Sequence, residues 1–458
     1  MSLPKSYVPK SASILGAARS GIAAAKFLAA KGVSVFISDS CPREKLEKIL
    51  VENGLSGVRH EAGGHTDAVL LSEVIILSPG VPSDLTILKN ARARNIPVWS
   101  EIELAYRFSD ATWMAMTGSS GKSTTVSLLG SIMEASAAKY VVAGNIGVPL
   151  IGAVNTLSHS GFVVAEVSSF QLENIDLFRP HVAVVINLLK NHLDRYENEE
   201  AYYNAKKEIA RNLTKDDVLI LNGKDTRLRV WAEEFADRSA IAFFGTREPG
   251  HDCAYCENGV LYTQFGGVTE AVVELDKMKI SGPHNQDNAC AAALAAKSVG
   301  LPTIAIASGI VSFAGLPHRM EFVSEVNGVR YYNDSKATTA ESVLCAVTAF
   351  GRNVHLIAGG RDKGCDFSIV KDALRTNARG VYLIGEAAGR ISREWNELAP
   401  VAVYVSLEAA VRQASANAQR GDVVVLSPGC SSFDMFASYE DRGEAFRTIV
   451  RTLVEESR

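Results

Sequence analysis

"MTGSSGKSTT", Met116 to Thr125, follows the apolar run "TWMAM" and precedes the helical pattern "TVSLLGSIME". Strand, small-residue turn, Gly-Lys-Ser and helix in that order describe a phosphate cradle. Backbone N–H groups turn inward, and the helix N-terminus adds the positive end of its dipole. The pattern G-x-x-x-x-G-K-[ST] asks for glycine where this chain has Met116. Lys122 is placed to reach the outer phosphates and Ser123 to ligate Mg²⁺, with Gly118, Ser119, Ser120, Gly121 and Thr124 lining the turn around a bound nucleotide.

Outward from this motif, short apolar runs alternate with longer helical patterns, which predicts α/β layers with mostly parallel sheets. The 458 residues suggest roughly three domains at about 150 residues each. The first opens with the βαβ pattern "SASILGAARSGIAAAKFLAAKGVSVFISDS", a strand to Leu15, a helix ending near Gly32 and a strand running into Asp39. "SEVIILSPGVP" supplies a further strand and a Pro/Gly turn. The middle domain contains the phosphate loop, "FVVAEVSSFQLE", "HVAVVINLLKNHLDRY" and "DDVLILNG", then an Ala-rich helix after "GPHNQDNA". The last, beginning at "LPHRMEFV", has strands in "GVRYYNDSKATT", "NVHLIAGGRDKG", "GVYLIGEAA" and "DVVVLSPGCSSFD". The expected spans are 1–110, 111–316 and 317–458. Ligands are expected at the carboxyl ends of the strands.

The formal net charge of −4 and the lack of a dense basic block argue against a nucleic-acid partner. No apolar leader and no stretch of membrane-spanning length is present, so the chain reads as cytoplasmic with no membrane partner. Of seven cysteines, Cys253 and Cys256 alone form C-x-x-C. With no second Cys/His pair nearby to complete a zinc site, they read as two ordinary thiols in a loop.

"TGSSGKST" resembles the shortened phosphate loop T-G-[ST]-x-G-K-[ST]-T of Mur ligases and their folylpolyglutamate relatives. The resemblance extends over almost the whole chain. It implies three α/β domains: N-terminal Rossmann-like, central P-loop ATPase-like with a parallel sheet, and C-terminal Rossmann-like. "FVVAEVSSFQLE" is similar to the family's second-strand motif and implies Glu166 as a Mg²⁺ ligand. "NLLKNHLDRY" implies His192 as a metal or substrate contact, with Asn191 where Asp is usual. "YYNAKKEI" implies that Lys206 is carbamylated and helps hold Mg²⁺, although a one-residue slip would exchange it with Lys207. "HNQDN" implies adenine contacts from Asn285 and Asn288. His318, Arg319 and Asp334 are implied on the nucleotide, with Lys122, Glu166, His192 and Lys206 catalytic and two Mg²⁺ ions bound. Thr339 stands where members often have Asn.

Folylpolyglutamate synthases lack the leading domain, which instead resembles the uridine-nucleotide domain of the members that add the first two amino acids. It implies a uridine-nucleotide site at Ala17, Ala18, Arg19, Ser20, Asp39, Ser78, Gly80 and Asn145, with His192 also on that substrate. Ala18 replaces the second glycine of the common turn G-x-G-x-S-G. "GGRDKGCDF" and "VLSPGCSSFDMFASYEDRG" most resemble the branch that adds D-glutamate. They imply Lys336, Thr338, Lys363, Ser432 and Tyr439 on the amino acid, with Tyr439 where many members have Phe. A carboxylate side chain needs such a cation and hydroxyl clamp, whereas alanine does not. The expected activity is ATP-dependent addition of D-glutamate to UDP-N-acetylmuramoyl-L-alanine, by a monomer, in cell-wall precursor synthesis. The L-alanine-adding branch is the alternative. A nicotinamide dehydrogenase would leave Lys122 and Ser123 idle, and a P-loop switch or kinase would leave the first domain and Lys206 unexplained.

Overall fold

The computed structural model describes residues 3–457 apart from 155, 158–160, 192–194, 281 and 363. His192 and Lys363 therefore lie outside the described residues. Three sheets carry the chain in sequence order. β1 (Ser11–Leu15), β2 (Ser34–Asp39), β3 (Arg59–Ala62), β4 (Val74–Leu77) and β5 (Val98–Ser100) form a parallel sheet of order β3-β2-β1-β4-β5. The order reverses direction between β1 and β4, so a crevice opens beyond their carboxyl ends.

The second sheet comprises β6 (Thr112–Thr117), β7 (Tyr140–Gly144), β8 (Phe162–Glu166), β9 (Val182–Val185), β10 (Val218–Asn222), β11 (Ala240–Phe244), β12 (Asp252–Glu257), β13 (Val260–Phe265) and β14 (Val268–Glu274). Its order is β14-β13-β12-β11-β10-β9-β6-β8-β7. Parallel pairing runs from β7 to β12, and β13 and β14 extend it as an antiparallel meander. The third comprises β15 (Glu321–Val326), β16 (Val329–Asn333), β17 (Val354–Gly359), β18 (Ala378–Ile384), β19 (Val401–Val403) and β20 (Val423–Leu426), ordered β15-β16-β20-β17-β18-β19. Only β15 is antiparallel within it.

The central strands are apolar throughout because helices cover both sheet faces. Met114, Ala115 and Met116 of β6, Val182–Val185 of β9 and Val424–Leu426 of β20 have no accessible surface. The first two sheets share one compact unit, and the third belongs to a second that takes up the chain again at Ala314. Among the described residues no helix is long and apolar enough to cross a membrane. One local expectation is corrected: Cys253 and Cys256 lie on β12, not in a loop, because this strand pairs with β11 and β13 on either side.

Candidate active site

Met116 is a buried strand residue, opposite Glu166 on β8 and Val184 on β9. The turn therefore begins later, and Gly118 supplies the conformational freedom. Its φ is +151°, and a Cβ there would lie 3.0 Å from Cβ of Ile186. Gly121, at φ +81°, would place a Cβ 2.6 Å from Oδ1 of Asn288. Neither position admits a side chain without strain. The helix Lys122–Ala135 starts at once. Thr125 Oγ1 donates to Gly121 O at 3.0 Å and to Asn288 Oδ1 at 3.1 Å, and Asn288 Nδ2 donates to Asn285 Oδ1 at 3.2 Å. Both amides expected at adenine are thus tied to the phosphate loop. Ser123 is buried at the helix start.

Asn187, the first residue of "NLLKNHLDRY", was not singled out by sequence. Its Oδ1 accepts the N–H groups of Ser119 at 3.0 Å and Ser120 at 2.9 Å. Its Nδ2 donates to Ser120 O at 3.2 Å, so the side chain fastens the turn at both kinds of backbone group.

Lys206 and its neighbour Lys207 point in different directions. The Lys206 side chain is buried, Nζ donates to Gly118 O at 2.8 Å, and the Tyr202 ring lies 4.4 Å away. Lys207 points elsewhere, pairs with Glu234 and sits over Trp231. Lys122 Nζ also donates to Gly118 O, at 2.8 Å. Burial, then the nearby Lys122 ammonium, pushes Lys206 well below the usual lysine range, against a smaller opposing pull from Glu166. A buried lysine in this position favours the neutral amine.

Glu166 ends β8 and is buried. Its Oε1 accepts Asn145 Nδ2 at 2.8 Å, while the buried Oε2 meets no hydrogen-bond partner among the described residues. A buried, unsatisfied carboxylate oxygen is costly, and a hard divalent cation satisfies it. Among the described residues no three His, Cys, Asp or Glu side chains cluster as a ready metal cage. The single buried carboxylate oxygen of Glu166 fits Mg²⁺, which keeps waters and substrate oxygens among its ligands.

At the crevice of the first sheet, Gly16, Ala18, Arg19, Ser20, Asp39, Ser78, Gly80 and Asn145 line a cleft of about 460 Å³. Ala17 lies beside it, on a neighbouring hollow. Asp39 Oδ2 accepts Ala17 N–H at 2.6 Å and Oδ1 accepts Cys41 N–H at 2.8 Å. Burial alone would raise this carboxyl, but those N–H groups outweigh it and hold it below the usual range. Ala18 is extended, at φ −78° and ψ −175°, so replacing a glycine there costs no strain. Gly21 cannot be replaced so easily, since a Cβ would lie 1.8 Å from Gly16 O. Arg19 Nη2 donates to Gly147 O at 2.7 Å, and Arg195 donates to Pro79 O at 2.8 Å and Val81 O at 2.9 Å. These contacts tie the cleft to the second sheet. The sequence did not mark Arg195.

In the second compact unit, the expected residues gather where β16 and β20 end. Asp334 is buried, accepting Met320 N–H at 3.1 Å and Ser427 Oγ–H at 2.9 Å, and burial pushes its carboxyl up to about 7. His318 is buried at φ +61° with Asn333 Nδ2 3.0 Å from Nδ1. Arg319 follows on the same turn, its N–H donating to Leu316 O at 3.2 Å. Lys336 Nζ donates to Tyr439 Oη at 2.9 Å, so the Tyr439 hydroxyl provides an acceptor that Phe would lack. Thr339 caps the helix Ala340–Ala349, an N-cap role in which Thr substitutes readily for Asn. Thr338 is half-buried, and Ser432 is buried with its carbonyl accepting Phe436 N–H at 2.8 Å. Arg442, also missed by sequence, is buried beneath this turn, donating to Ser335 O at 2.8 Å and Cys430 O at 3.1 Å.

Phosphate loop, buried lysine, orphaned carboxylate and crevice are the equipment of an ATP-using α/β ligase. The chain matches the Mur ligase MurD-like N-terminal domain over residues 10–100, the Mur ligase middle domain over 116–296 and the Mur ligase glutamate ligase domain over 318–430. It belongs to the Mur ligase family. It is 40% identical over 453 residues to the UDP-N-acetylmuramoylalanine–D-glutamate ligase of Salinibacter ruber, covering 97% of this chain and 98% of that one. The Geotalea daltonii protein of the same name is 40% identical over 96% of this chain and 97% of its own. Among solved structures, Thermotoga maritima MurF ligase in complex with ADP shares the fold at TM-score 0.61 and 15% identity, covering 93% and 96% of the two chains. UDP-N-acetylmuramate-alanine ligase MurC from the same organism does so at TM-score 0.57 and 16% identity, covering 97% and 99%.

Proposed function

We propose that this chain is the ATP-dependent ligase that joins D-glutamate to UDP-N-acetylmuramoyl-L-alanine in cytoplasmic peptidoglycan precursor synthesis. The name shared by its relatives favours D-glutamate over L-alanine. The observation that carries the chemistry is the convergence of Lys122 and Lys206 on one carbonyl, that of Gly118. Residues 1–110 hold the uridine nucleotide, 111–316 hold ATP, and 317–458 hold D-glutamate.

The carboxylate of the muramoyl-L-alanine attacks the γ-phosphorus of ATP, ADP leaves, and an acyl phosphate results. The amine of D-glutamate then adds to the acyl carbon, and the tetrahedral intermediate expels phosphate as the nitrogen loses its proton. Lys122 and the N–H groups of the loop stabilise the charge on the migrating phosphoryl group. Asn285, Asn288, His318, Arg319 and Asp334 hold the nucleotide. Lys336, Thr338, Lys363, Ser432 and Tyr439 orient the amino acid. Ser123, Glu166, His192 and Lys206 as its carbamate would hold two Mg²⁺ ions, which neutralise the gathered anions.

Incubation with ATP, Mg²⁺, UDP-N-acetylmuramoyl-L-alanine and single amino acids tests the reading. D-glutamate alone should give phosphate release and a new amide in equal amounts. Turnover of UDP-N-acetylmuramate with L-alanine, and none with D-glutamate, would select the alternative branch instead.

A further inference from the structure

Among the described residues no third metal-ligating side chain joins the C-x-x-C pair, but one of its thiols has an unexpected neighbour. Successive side chains on a strand alternate between faces, so Cys253 and Cys256, three apart on β12, point to opposite faces and do not meet each other. Cys253 is buried, with Sγ accepting Glu248 N–H at 3.5 Å. Cys256 Sγ lies 3.6 Å from Sγ of Cys290, on the helix Pro283–Ser298. No other two cysteine sulfurs come within hydrogen-bonding reach among the described residues. A disulfide needs about 2.05 Å between sulfurs, so a small closure of strand on helix completes the bond.

The pair is asymmetric in a way that suits stepwise oxidation. Cys256 is partly exposed and Cys290 is fully buried. The S–H of Cys290 lowers Cys256 below the usual thiol range, and the same contact with burial raises Cys290 well above it. The charged groups facing the two sulfurs are Asp287 and Lys224, themselves paired at 2.6 Å. Reactive thiols are the exposed, low-pKa ones.

We propose that Cys256 and Cys290 form a reversible oxidation site, closed by hydrogen peroxide and reopened by thiols. The Cys256 thiolate attacks one peroxide oxygen, the O–O bond breaks, and the departing hydroxide takes up a proton to become water. Cys256 is left as the sulfenic acid. The sulfur of Cys290 then attacks that of Cys256, an S–S bond forms, and the second hydroxide leaves with the Cys290 proton as water. Two thiols and one peroxide give one disulfide and two waters.

The modification has a route to function. Cys290 lies two residues beyond Asn288, whose Oδ1 is in contact with the Thr125 hydroxyl and packs against Gly121 of the phosphate loop. Pulling this helix toward β12 displaces the two amides assigned to adenine, an arm of the proposal that rests on the ATP reading above. Oxidation is therefore expected to raise KM for ATP severalfold while KM for the uridine nucleotide stays constant.

The test uses the full-length protein, treated with hydrogen peroxide, alkylated, digested with trypsin and analysed by mass spectrometry. The expected product joins the peptide 248–277 to the peptide 280–297 with the loss of two hydrogens. Dithiothreitol should release it and restore KM for ATP. Cys256→Ser and Cys290→Ala should each abolish the cross-link, and Cys253→Ser should retain it. Because oxidised and reduced wild type are compared directly, a poorly folding variant does not decide the result. Accumulation of a Cys256 sulfinic acid without cross-link would overturn the site. A cross-link that leaves KM for ATP unchanged would overturn the coupling to the nucleotide, and the cross-link itself is read without ATP.

Discussion

Two ammonium groups, those of Lys122 and Lys206, donate to the same carbonyl oxygen of Gly118, each at 2.8 Å. Like charges so close and so buried favour loss of one proton, and Lys206, the more deeply buried, yields it. A neutral amine can add CO₂, and the resulting carbamate turns a repelled cation into an oxygen ligand for Mg²⁺. Lys206→Ala is therefore expected to abolish turnover nearly completely, with partial recovery in added acetate. Lys207→Ala, which loses contacts with Glu234, Trp231 and Phe235, should stay within a few-fold of the parent. Equal losses in the two mutants, or no effect of acetate, would count against the carbamate. Lys122→Ala should lower kcat by about 10², the scale of one preorganised stabilising group, and acetate should not restore it. Steady-state kinetics on the three variants separate these outcomes.

At the scale of elements, the helix Glu101–Arg107 joins the first sheet to β6 and buries two carboxylates. Glu103 accepts the N–H groups of Asp176, Leu177 and Phe178 and pairs with Arg107. Glu101 accepts Ile151 N–H at 2.6 Å, its second oxygen meets no partner, and burial pushes it up to about 7. The folded state thus binds this proton more tightly than the unfolded chain. Its contribution is fully present below the ordinary Glu range and lost as pH rises through about 7. Glu101→Gln, which keeps an acceptor for Ile151, should flatten the fall in Tm between about pH 5 and about pH 8 and stabilise the alkaline end by up to about 3 kcal/mol. Thermal melts across that range check it, and an unchanged slope would refute the burial argument. Much of this element-level order was legible in the sequence. β1, β2, β4, β6, β8, β9, β10, β16, β17, β18 and β20 are runs rich in apolar residues that give way to Gly, Ser, Asp, Asn or Glu at their carboxyl ends, because they are buried strands with parallel partners. β3, reading "RHEA", and β19, reading "VAV" with two exposed residues, carry no such signal. Both are edge strands, each paired on one side only. β13 and β14 were hidden for a related reason, since partly exposed antiparallel strands mix polar with apolar residues, and in β12 the charged ends of "DCAYCE" and its two thiols made a largely buried strand look like a loop. Asn187, Arg195 and Arg442 act through contacts distant in sequence, which no local pattern displays.

Across the whole molecule, the formal charge is −4, while ATP, the uridine nucleotide and D-glutamate are all anions. A net negative charge does not attract anions at long range, so the proposed function requires local cations and N–H groups at the ends of three different sheets. Arg19 stands at the first cleft, Lys122 at the phosphate loop, and Lys336 on the unit with the third sheet; the sequence resemblance adds Lys363. Such a division predicts that substrate affinities are separable by mutation. Arg19→Ala removes a guanidinium from the cleft of about 460 Å³ and should raise KM for the uridine nucleotide while leaving KM for D-glutamate unchanged. Lys363→Ala and Ser432→Ala should do the reverse. Loss of one charge-assisted hydrogen bond, about 1.5–3 kcal/mol, corresponds to a rise of at least about tenfold in KM for D-glutamate. In the double variant Arg19→Ala, Lys363→Ala the two KM increases should appear together and independently, since the proposed function assigns the residues to different substrates. A Lys363 or Ser432 variant that loses ATP affinity but retains its affinity for D-glutamate would reassign these residues to the nucleotide.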